Sequence, residues 1–92
     1  MRGFLVYKIT ITTKGREAVF EPATCEIYGV LHDDGTEEKQ FGIFQDGVLL
    51  DWTKIESDAW WKSALWHADN WGTETIRLPS GVTWKIEWLP AA

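Results

Sequence analysis

Residues 82–89, VTWKIEWL, alternate without a break: Val82, Trp84, Ile86 and Trp88 share one side, and Thr83, Lys85 and Glu87 share the other. Side chains on a pleated strand point to opposite faces in turn, so a period of two over this length specifies a strand with one buried face. The preceding TIRLP, residues 75–79, and the Ser80-Gly81 pair supply the partner strand and the turn of an antiparallel hairpin. An isolated hairpin is marginal in water, so its tryptophan-bearing face needs a cover from elsewhere in the chain.

The same period organises the first half. FLVYKITITT, residues 4–13, sets Leu5, Tyr7, Ile9 and Ile11 on one face, and Lys14-Gly15 ends the run. A short strand at 17–21 is expected to stop at Pro22, which lacks the amide a ladder needs. Residues 24–32 place Cys25, Ile27, Gly29 and Leu31 together, and Asp34-Gly35 then predicts a type I′ turn into a strand at 38–45. A second Asp-Gly pair, Asp46-Gly47, repeats the signal before VLLDW, residues 48–52, giving a meander.

Between Ser57 and Asn70 nothing interrupts a helix, and Ala59, Lys62, Ala64, Leu65 and Ala68 favour one. Ser57 or Asp58 suits the N-cap and Gly72 the C-terminal cap, while Thr53 with Glu56 offers a capping box that would start the helix at Lys54. At about 100° per residue, Trp60, Trp61, Ala64, Leu65, Ala68 and Trp71 share one arc, which is expected to face the sheet and meet Trp84 and Trp88. Trp66 falls on the opposite side with Lys62, Ala59, Asp69 and Asn70. Trp52 receives no role from these patterns, and the arc alone does not fix one for Trp71 at its end. The expected fold is α+β in a single domain, residues 1–92: an antiparallel sheet of about five or six strands, meander plus C-terminal hairpin, with one helix at 57–70 packed on one face.

Charge narrows the partners. The net charge is −5, but residues 1–16 carry only bases, whereas residues 17–58 carry eleven acids against Lys39 and Lys54. An acidic middle opposes phosphate, so direct nucleic-acid binding is not expected. The lone Cys25 cannot form an internal disulfide, no export signal opens the sequence, and no apolar run is long enough to span a bilayer, so a cytoplasmic protein away from the membrane is expected. Cys25, His32 and His67 have no zinc-ligand spacing, and DDGTEE, residues 33–38, lacks the alternating oxygen ligands of a calcium loop. Neither a metal nor any other cofactor is expected. Cys25 lies mid-strand, and Gly35, Gly47 and Gly81 are all used by turns rather than by a phosphate-binding loop, so no enzyme is expected either.

What remains is an interaction module that contacts another protein, or a second copy of itself as a homodimer, through Trp66, Lys62, Ala59, Asp69 and Asn70 or through a strand edge. The alternative is a compact acidic inhibitor of the phage anti-defence type. Its carboxylates, Glu26, Asp33, Asp34, Glu37, Glu38, Asp46 and Asp51, would imitate nucleic-acid phosphates in a partner's basic groove. A carbohydrate-binding face built on Trp66, Asp69, Asn70 and Trp71 is a third reading, opposed by the missing export signal.

Overall fold

The structure is a computed structural model that describes residues 6–55, 63 and 70–89. The described residues form strands β1 (Val6–Thr13), β2 (Arg16–Leu31), β3 (Glu37–Gln45), β4 (Val48–Lys54), β5 (Thr73–Arg77) and β6 (Thr83–Leu89). They make one six-stranded antiparallel sheet in the order β4-β3-β2-β1-β6-β5. The meander and the C-terminal hairpin are both present, and the hairpin joins the meander through β6, which pairs with β1 from Val6↔Leu89 to Thr12↔Thr83. The chain therefore passes from one sheet edge to the other between Lys54 and Thr73. The helix expected at 57–70, which would make the fold α+β, falls on this connection and lies outside the described residues except for Ser63 and Asn70.

The sequence pattern divides the chain at Pro22, but the structure does not: Arg16–Leu31 is one strand of 16 residues. The reason lies in the register. Tyr7 pairs with Ala23 and Ile9 with Phe20, so β2 holds one extra residue where Glu21 and Pro22 sit, and the missing proline amide falls at this bulge. Beyond it the strand changes partner. Residues up to Ala23 pair with β1, and residues from Thr24 onward pair with β3. The Gln45 side-chain amide donates to the Pro22 carbonyl (3.2 Å) and ties the end of β3 to this corner.

A flat sheet would place β3 and β6, three strand spacings apart, roughly 14 Å from each other. Instead Phe41 of β3 stacks on Trp84 of β6 with ring centroids 5.9 Å apart. The indole Nε1 of Trp84 also donates to Asp51 Oδ2 on β4 at 2.8 Å, across a nominal spacing of about 19 Å. The sheet must fold over on itself, with β2 as the strand that switches layers. The first layer is β5, β6, β1 and the first half of β2; the second is the rest of β2 with β3 and β4. Among the described residues, Tyr7, Ile9, Trp84 and Ile86 from the first layer and Phe41 and Ile43 from the second are the largest fully buried side chains. The cover that the C-terminal hairpin requires is thus provided, at Trp84, by the far half of its own sheet.

The turns separate into two kinds. Lys14-Gly15 and Asp46-Gly47 have positive φ at both centres (51° and 76°, 52° and 77°), as a type I′ turn requires. Asp34-Gly35 corrects the sequence reading, because only Gly35 is left-handed (φ 87°). Gly35 N–H donates to the His32 carbonyl and His32 N–H to that of Thr36 (2.9 and 2.8 Å), closing a three-residue loop with a bulge glycine. Asp34 Oδ1 accepts from the Thr36 amide (2.9 Å) and hydroxyl (2.6 Å), and this side-chain turn competes with the two-residue form. Leu78 to Val82 closes in the same way around Gly81 (φ 91°).

Among the tryptophans, Trp84 is fully buried and Trp88 packs partly against the core, as expected. Trp71, which the helical arc placed toward the sheet, is 67% exposed, and the backbone turns at the next residue, Gly72 (φ 85°), before β5. Trp60 and Trp61 lie outside the described residues.

Candidate interaction surface

The inner side of the second layer is fixed by Phe41 and Ile43, whose partners are Ile27 and Cys25 on β2 and Thr53 and Asp51 on β4. Alternation then turns Gln40, Gly42 and Phe44 outward, together with Tyr28, Glu26 and Thr24 on β2 and with Lys54, Trp52 and Leu49 on β4. A solvent-facing side of a small antiparallel sheet is ordinarily polar. Here its middle is apolar. Tyr28 meets Phe44 edge to face (5.8 Å, 74°), Leu49 is 42% exposed and Trp52 47% exposed.

Gly42 forms the floor of this cluster. A Cβ there would lie 2.8 Å from Tyr28 Cε1, 2.9 Å from Leu49 Cδ1 and 2.9 Å from Phe44 Cε1, so the three side chains occupy the space a larger residue would need. The Tyr28 hydroxyl is buried with no hydrogen-bond partner among the described residues, and desolvation raises the phenol pKa.

Charged residues border the cluster. Glu26 lies opposite Gly42, and Glu38 accepts from the Gln40 side-chain amide beside Tyr28. That hydrogen bond lowers the Glu38 pKa against the opposing desolvation, with the His32 (3.7 Å away) and Lys54 charges helping. The two hydrogen bonds from Thr36, hydroxyl before amide, hold the Asp34 carboxyl below the usual carboxylate range. Charge is also divided between layers. Residues 24–54 carry seven carboxylates against Lys39 and Lys54, a net −5, while residues 6–23 and 73–89 together carry five bases and four acids, a net +1.

The seven acids nominated from sequence do not form one surface. Asp33, Asp34, Glu37 and Glu38 gather at the β2–β3 loop, and Glu26 lies mid-strand on the outer face. Asp46 sits in the opposite turn, eight residues along β3 from Glu38, or roughly 26 Å. Asp51 points inward, where its Oδ2 holds Trp84 and its Oδ1 accepts the Trp52 amide (2.9 Å). Of the helix-side residues, Asn70 is exposed, and Ala59, Lys62, Trp66 and Asp69 lie outside the described residues. Sequence reasoning missed Tyr28, Phe44, Leu49 and Trp52. The available signal was residues 40–44, QFGIF, where apolar residues occupy both faces around a glycine.

Both sheet edges resist strand addition. Ile55 N–H donates to the Lys39 carbonyl, so the alternation of antiparallel pairs directs the Trp52 and Lys54 amides away from β3 to the free side of β4. Asp51 already occupies the Trp52 amide, and a bulge at Leu50, between the Ile43↔Asp51 and Phe44↔Leu49 pairs, breaks the edge further. β5 is only five residues long and turns Glu74 toward the same side as the buried Ile76. Short edges, bulges and inward charges are the devices by which sheets avoid pairing.

Comparison with protein-family models, with curated proteins and with solved structures yields no match. Among the described residues there is no group of three or more metal-ligating side chains, and no helix long and apolar enough to cross a membrane.

Proposed function

We infer that this chain is a non-enzymatic interaction module that docks another protein through the outer face of its second layer. The observation that carries this reading is Trp52, 47% exposed beside Leu49, Tyr28 and Phe44 on a face where polar side chains are the rule. Exposed tryptophan is costly to solvate and is enriched among residues that dominate binding energy. The guarded edges favour contact through a face over β-augmentation. The face expected from the sequence at Trp66, with Ala59, Lys62, Asp69 and Asn70, is proposed as a second surface of the same module.

A phosphate-mimicking inhibitor is the second reading, favoured by the four carboxylates gathered at the β2–β3 loop. The separation of Asp46 and the inward aim of Asp51 count against an extended array. The two readings divide on salt and on substitution. Affinity capture is expected to retain a partner through 0.5 M salt with the wild type and to lose it with Trp52→Ala. A partner kept by Trp52→Ala but lost on reversing Asp33, Asp34, Glu37 and Glu38 to Lys would favour the inhibitor, because screening at that salt removes charge contacts beyond about 4 Å.

A further inference from the structure

Resting on the docking reading above, we propose that the occupant of the Trp52 face is a cationic protein segment: an apolar or aromatic side chain set against Trp52 and Leu49, flanked by Lys or Arg that reach Glu26 on one side and the β2–β3 loop on the other. Charge complementarity selects this occupant. The layer bearing the apolar cluster carries a net −5 and the other a net +1; with Asp51 turned inward and Asp46 in the far turn, the carboxylates that border the outer face are Glu26, Glu38 and those of the β2–β3 loop. Glu26 is exposed opposite Gly42, and Asp33, Asp34 and Glu37 are exposed at the loop where β2 and β3 end. Lys54, opposite Gln40 on the same face, faces Glu38 and leaves Glu26 and the loop acids for a partner.

The same charge argues against a second copy. A twofold contact between these faces would bring two net −5 layers together, and like charge opposed across an interface disfavours the pair. A nucleic acid is opposed for the same reason. The arrangement suits a partner whose rim is basic and whose centre is apolar, with steering by the field and retention by the indole.

The test uses the full chain and two synthetic peptides that share an apolar centre, Leu-Trp-Leu, one flanked on each side by two lysines and the other by two glutamates. Binding is followed by amide chemical shifts and by fluorescence anisotropy of labelled peptides. The lysine-flanked peptide is expected to shift Gly42, Trp52 and Tyr28 and to bind about tenfold tighter than the glutamate-flanked one at low salt, narrowing to within about threefold at 0.5 M. Glu26→Lys should remove most of that preference while leaving the fold's amide spectrum otherwise intact. Equal binding of both peptides at Trp52 would overturn the cationic assignment and leave the docking reading standing. Shifts confined to Asp33 through Glu38, or none at Trp52 with either peptide, would overturn both. Sedimentation of the chain alone at micromolar concentration is expected to show a monomer, and a dimer abolished by Trp52→Ala would give the face to a second copy instead.

Discussion

Replacing Asp51 by Ala is expected to destabilise the fold by about 2 kcal/mol, because one carboxylate links the two layers. The Trp84 indole is fully buried, and its N–H donates to Asp51 Oδ2 at 2.8 Å. Removing the acceptor leaves a buried donor unsatisfied, which costs roughly 1–3 kcal/mol, and the half-buried position of Asp51 lets water recover part of it. The Trp52 amide, held by Oδ1, lies at the sheet edge where water replaces the lost bond, so it adds little. For a domain of this size about 2 kcal/mol lowers Tm by roughly 8–16 °C. Asp51→Asn keeps an oxygen for the indole and is expected to lose less than half as much. Urea unfolding followed by tryptophan fluorescence gives both values, and exchange of the Trp84 indole proton reports the bond itself. A change below about 0.5 kcal/mol for Asp51→Ala, or equal losses for Ala and Asn, would refute the link and with it the fold-over of β4 onto β6.

Gly42→Ala places a methyl within 2.9 Å of three side-chain carbons, and the overpacking is expected to cost about 1–3 kcal/mol in denaturant midpoint while leaving Phe41 and Ile43 in place. Tyr28→Phe removes a buried hydroxyl that has no partner among the described residues and is expected to leave stability unchanged or raise it by about 1 kcal/mol; a loss above that would mean the hydroxyl is bonded. The Asp34 pKa is depressed by Thr36, so its contribution to stability is present above the unfolded carboxyl pKa and is lost as pH falls through the folded one. Thr36→Val is expected to raise the Asp34 midpoint toward the ordinary carboxylate value in a carboxyl NMR titration.

The strands were legible because period two and glycine turns are local signals. Residues 82–89, the strand from 38 to 45 and the Asp46-Gly47 turn follow directly from the residues, and so do the buried Trp84, Ile86, Tyr7 and Ile9. The continuity of β2 through Pro22 was not legible, since a bulge depends on the register of the neighbouring strand and not on the proline alone. The Asp34-Gly35 loop escaped because Thr36, two residues on, competes for the carboxylate, a local choice among turns that the dipeptide alone does not decide. The outer cluster escaped for a related reason. Tyr28, Phe44, Leu49 and Trp52 come from three strands, and only the pairing registers place them around Gly42.

Two tryptophans, one from each layer, are divided by the carboxylate of Asp51. Asp51 directs the buried Trp84 into the core through one oxygen and fixes the backbone of the exposed Trp52 through the other. The consequence is mechanical as well as energetic. The edge strand that presents Trp52 is pinned at Asp51 to the fully buried Trp84 ring, so the indole is displayed from an anchored element and loses less freedom on binding than a loop residue would. The bulge at Leu50 adds to this by bringing Leu49 to the same face as Trp52, which an unbroken strand would not do. Edge protection and surface presentation therefore come from the same few residues. A sequence that relaxed the bulge or the Asp51 clasp would lose the apolar face and expose a pairing edge together.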